Sequence, residues 1–114
     1  MSEEELLTRI YSLLYRLGLT ASYTGFFHTA RAVLLACQNP ENLTSVTKRL
    51  YPETADQYGT NWHAVERNIR YCISVLWKEH PNRLSALAGA PLDKPPTSAK
   101  FISLLTSKLT LVEY

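Results

Sequence analysis

The chain has 114 residues, of which 46% are hydrophobic and 19% charged, and its net charge is +2. One domain of that length fills a modest core without metals or disulfides, and no run of about 18 apolar residues offers a membrane span. The acidic MSEEELL start argues against a secretory signal, and so mild a net charge does not by itself mark a nucleic-acid binder.

Residues 3–17 predict a first helix. Glu3, Glu4 and Glu5 favour the positive end of its dipole, and Leu6, Ile10, Leu13, Leu14 and Leu17 make its apolar face before Gly18 ends it. A second helix is expected to start near Thr20 or Ser22 and run to Cys37, with Phe26, Ala30, Val33, Leu34 and Cys37 as core and Phe27 assisting. Gly25 inside it costs about 1 kcal/mol against alanine, which suggests close packing there. Gln38-Asn39-Pro40 breaks the chain. A third helix fits Leu43 to Leu50, capped by Asn42 or Thr44, with Lys48 and Arg49 in its last turn.

Tyr51 to Trp77 (YPETADQYGTNWHAVERNIRYCISVLW) reads as a short helix, a glycine turn and a longer amphipathic helix. Pro52 suits a first helical turn, Gly59 a stop with positive φ, and Thr60 or Asn61 the next N-cap. Val65, Ile69, Cys72 and Leu76 form a buried row, and His63, Arg67, Arg70 and Ser74 repeat the spacing on another face. With small Ala55 on the first helix and Val65 on the second, this is a helix-turn-helix pattern. Downstream, Arg83 to Ala88 suggests a short helix and GAPLDKPPTS a turn-rich connection. Thr97 or Ser98 then caps a last helix with Phe101, Leu104, Leu105 and Leu109 inward. The expected fold is an all-α compact bundle of six or seven helices, a single domain over residues 1–114.

Near the start of a recognition helix, side chains reach base edges in the major groove. Arginine can donate two bonds to guanine O6 and N7, and glutamate can accept from cytosine N4. Glu66 and Arg67 are therefore candidate base readers, with His63 and Asn68 bordering the same face. The plain alternative for Glu66 is an exposed i, i+4 pair with Arg70, worth about 0.3–0.5 kcal/mol. Lys48, Arg49, Thr60, Arg70 and Arg83 are candidates for phosphate contact, which fixes register without reading sequence. Residues 43–83 carry six basic and four acidic groups, against three and four in residues 1–42, so the positive excess sits on this region.

Trp62 and Trp77 are expected to pack. Cys37 and Cys72 lie in apolar helical rows without metal-like spacing, which predicts reduced core thiols and suits a cytosolic protein. His28, His63 and His80 make no HExxH, and GxxxxGK[ST], GxGxxG and GxSxG do not occur. No catalysis, metal or cofactor is expected.

The chain resembles the C-terminal effector domains of stage-zero sporulation protein A, the response-regulator family governing entry into sporulation. The likeness runs over about residues 8–109 and rests on SVTKRLYP, the VER-x-IR run at Val65 to Arg70, Trp77, and KPPTSAKFI at Lys94 to Ile102. It implies an all-helical, sequence-specific DNA-binding transcription regulator of the bacterial cytoplasm, associated with the nucleoid. By the same resemblance, Glu66 and Arg67 meet bases, Arg70 meets phosphate or groove, and copies pair as homodimers on tandem DNA boxes. A sigma factor of RNA polymerase is an implied partner, and no membrane is.

Three departures bear on those expectations. Ala64 stands where the family often has a basic residue. The stretch between Trp77 and Phe101, which in the family includes the sigma-facing surface, looks a few residues short. No receiver domain is expected before the likeness. An alternative from another class is a protein-interaction module that modulates a full-length regulator or RNA polymerase without strong DNA binding of its own.

Overall fold

Helix ends in this chain are set by identifiable caps. α1 (Glu3–Leu17) begins under Ser2, whose Oγ accepts from the Glu5 amide at 3.1 Å, and three glutamates fill its first turn. It ends at Gly18, where φ is +115° and the amides of Gly18 and Leu19 both return to the Leu14 carbonyl. Glycine takes that left-handed turn without a side-chain penalty. The computed structural model describes residues 1–111, whose regular elements are all helical, with α2 (Thr24–Gln38), α3 (Tyr51–Gln57), α4 (Trp62–Glu79), α5 (Pro81–Ala88) and α6 (Ser98–Leu111) following α1.

Three boundaries differ from the sequence expectation, the simplest being α5, which starts at Pro81 where Arg83 was expected. α2 starts at Thr24, and neither Thr20 nor Ser22 caps it, because their hydroxyls bond each other at 2.7 Å. The predicted helix over Leu43 to Leu50 is instead a 3₁₀ turn (Pro40–Thr44) and a π turn (Val46–Leu50), broken at Ser45. Asn39 caps the first of these; Asn42 is buried and gives its amide to the Leu35 carbonyl, and the Thr44 hydroxyl donates to Glu41 O. The π turn runs straight into α3. Pro52 falls in the first turn of α3, where its missing N–H costs no helical bond.

α2 is the hub, touching α1, α3, α4 and α6. Its Phe26, Ala30, Val33 and Leu34 are buried as expected, whereas Cys37 is half-buried and Phe27 is 36% exposed at the edge of an aromatic cluster with Tyr11 and Phe26. One continuous core joins these to Ile10 and Leu14 of α1, Ile69 and Leu76 of α4, Leu84 of α5 and Phe101 of α6. Ile102, outside the expected inward row of α6, is also fully buried, while Leu104 and Leu109 are half-buried. The radius of gyration, 13.0 Å, is about that of a compact chain of this length. Among the described residues no helix is long and apolar enough to cross a membrane.

Gly25 explains how closely α2 and α4 approach. A Cβ there would lie 2.1 Å from the Asn68 carbonyl oxygen and 2.6 Å from Cys72 Sγ. The two helices are in backbone contact at this point, so α4 is held by its neighbour's main chain as well as by side chains.

Candidate nucleic-acid interface

α3 and α4 are joined by four residues, Tyr58 to Asn61. The Tyr58 and Thr60 amides both return to the Ala55 carbonyl, and Gly59 turns the chain at φ +62°. Asn61, one of the two expected caps, receives the Ala64 amide on Oδ1 at 3.0 Å. Ala55 and Val65, 2% and 0% exposed, fill the angle between the helices. These features are consistent with a helix-turn-helix.

Successive residues of α4 turn by about 100°, so the helix presents distinct rows. Val65, Ile69, Cys72, Ile73 and Leu76 are buried. His63, Arg67, Arg70 and Ser74 fall on the opposite side and are all exposed. Arg67 stands near the middle of that outward row, and among the described residues it makes no hydrogen bond or ion pair. Its guanidinium keeps all its donors for a ligand. His63 lies flat against Trp62, with ring centroids 3.7 Å apart, which fixes the imidazole at the N-terminal end of the row. The Ser74 hydroxyl turns back to the Tyr71 carbonyl at 2.6 Å.

Glu66 sits on the flank. Its Oε1 takes both Nε and Nη2 of Arg70, at 3.2 and 3.1 Å, so the i, i+4 pair foreseen as the plain alternative is formed. With the two side chains 26% and 65% exposed, such a pair is worth about 0.3–0.5 kcal/mol and yields readily to a ligand. Oε2 remains open. Glu66 also lies near Tyr51, whose hydroxyl donates to Ser98 Oγ at 2.8 Å; burial foremost, with Glu66 adding to it, pushes the Tyr51 pKa up.

Asn68 takes a different place from the other candidates. It is half-buried on the side facing α2, with its amide 3.4 Å from Nδ1 of His28. Lys48 and Arg49 are exposed on the π turn leading into α3, and Thr60 is half-buried within the turn itself. Arg83 lies beside Gly18 at the end of α1. The sequence reading passed over Tyr71, which is 57% exposed on α4 and tilted against Tyr23. Its position one turn after Arg67 was the available signal. Trp62 and Trp77 both pack on the core. Among the described residues no group of three or more His, Cys, Asp or Glu side chains is placed to hold a metal ion.

The outward row of α4 and the cations ahead of α3 are exposed, Glu66 on the flank is partly so, and α4 is anchored through its other face. A family model, described as the sporulation initiation factor Spo0A C terminal, matches residues 10–109 of the chain.

Proposed function

The chain belongs to the sporulation initiation factor Spo0A C-terminal family, whose domains are DNA-binding effectors in sporulation transcription, and on that premise we propose that it reads a short DNA box through α4. The observation that carries this reading is Arg67, an unengaged guanidinium centred on the outward row of a helix whose opposite row is wholly buried. In the major groove it donates two parallel bonds to a guanine. Glu66 accepts from a cytosine amino group through Oε2 while Oε1 holds Arg70, which turns toward phosphate or the groove edge. His63 borders the bases at the start of the row. Lys48, Arg49 and Thr60 meet phosphates on the approach to α4. Asn68 serves the packing of α4 on α2 in this scheme. Copies bind side by side on tandem boxes, and a sigma factor of RNA polymerase is the protein partner.

Selection of binding sites from random duplex DNA with this chain alone tests the reading. Enrichment of a short motif containing guanine, recurring in pairs, is expected. Phosphate contact further requires log K to fall linearly with log salt, and Lys48→Ala should reduce that slope by about 1 while leaving the motif unchanged. Failure to enrich any motif, with no salt-dependent DNA binding, would shift the function to a protein-interaction module.

A further inference from the structure

The outer face of α1 carries charges that DNA reading leaves unused. At about 100° per residue, Glu5, Arg9, Ser12 and Arg16 form one row, and all four are exposed. Acid stands at its N-terminal end and cations toward the other. Arg9, Ser12 and Arg16, joined by Lys108 of α6, wall a cavity of about 380 Å³ over a floor of Leu13 and Leu109. Among the described residues that lining holds three cations. The adjoining depression carries Glu4 and Glu5, and Arg9 borders both.

The row is symmetric under reversal, since its steps are four, three and four residues. When a second α1 lies antiparallel, with a two-fold axis midway between positions 9 and 12, Glu5 of each copy faces Arg16 of the other and Arg9 faces Ser12. The two Glu5–Arg16 contacts fall about 16 Å apart along the helix, at about 1.5 Å per residue. We propose that a second copy of this chain docks antiparallel along α1, with Glu5 of each copy entering the Arg16–Lys108 end of the other's groove. Both halves of the contact are present in one chain, as an isologous interface requires. Exposed ion pairs are individually weak and screened by salt, so the pairing is reversible and favoured at low ionic strength. It goes beyond the DNA reading and does not depend on it.

Sedimentation equilibrium of the full chain tests it. The parent should associate to dimers with a constant that falls about tenfold or more between about 50 and 500 mM salt. Glu5→Arg makes both ends of the row positive and Arg16→Glu makes both ends negative, so each variant alone should be monomeric. An equimolar mixture of the two should dimerise at least as well as the parent, because every end then meets its opposite. Both positions are exposed, and far-ultraviolet circular dichroism checks that each variant is folded. A parent that stays monomeric at low salt, a single variant that dimerises like the parent, or a mixture that stays monomeric would each overturn the proposal.

Discussion

Gly25→Ala places one methyl group where α2 and α4 touch, and the structure sets the size of the effect. The new Cβ would lie 2.1 Å from the Asn68 carbonyl oxygen, 2.6 Å from Cys72 Sγ and 2.8 Å from the Asn68 carbonyl carbon. Ordinary carbon–oxygen contact needs more than 3 Å, so the helices must part by about 1 Å, and two of the three obstructing atoms are main chain. Overpacking of this kind costs about 3 kcal/mol at the upper end of its usual range. Alanine returns about 1 kcal/mol through helix propensity. The net loss of about 2 kcal/mol corresponds to a fall in Tm of roughly 8 °C for a domain this size. Urea denaturation followed by circular dichroism measures it. Gly59→Ala is the control, since a Cβ at Gly59 meets nothing within 4 Å and only the left-handed φ of +62° opposes it, at about 1 kcal/mol. Because Arg67 immediately precedes Asn68, Gly25→Ala should also weaken DNA binding in the folded protein. A Gly25→Ala chain as stable as its parent would refute the backbone contact between α2 and α4.

Three further outcomes follow from buried groups. His28 is 4% exposed and burial lowers its pKa, so the folded protein binds fewer protons than the unfolded chain; stability should be full above about pH 6.5 and decline as pH falls below it. Urea midpoints at descending pH measure the decline, and His28→Gln should flatten it. Tyr51→Phe removes the buried hydrogen bond to Ser98 and strands the serine hydroxyl, with an expected cost of about 1–3 kcal/mol by the same denaturation assay. Cys72 is fully buried and its thiol is pushed up to about 12, so a thiol-reactive chromogenic disulfide should label the native chain at Cys37 alone and both cysteines after unfolding.

Features governed by local chemistry were legible in the sequence. The glutamate run and Gly18 marked both ends of α1, and the four residues of the expected apolar row of α4 are all buried, with Ile73 joining them unforeseen. The same periodicity set Arg67 on the outward row. Features that depend on distant partners were not legible. Gly25 announced a close approach, but its neighbours at Asn68 and Cys72 lie more than forty positions away. Asn68 shares a motif with Arg67, yet one residue turns it by about 100° toward His28 on α2. The Glu66–Arg70 pair was visible as a spacing, and spacing alone does not divide the carboxylate between arginine and a base. Over Leu43 to Leu50 the sequence favoured one helix; the structure holds a 3₁₀ turn that buries Asn42 and a wider π turn, with the break at Ser45.

Titration of Arg67→Ala against the box selected by the parent chain, and against the same box with its guanine changed, tests the central assignment most directly. Loss of one bidentate base contact predicts an affinity lower by about 1–3 kcal/mol on the selected box, and near-equal affinity for the two sequences. An Arg67→Ala chain that still preferred the selected box by the parent's margin would contradict it.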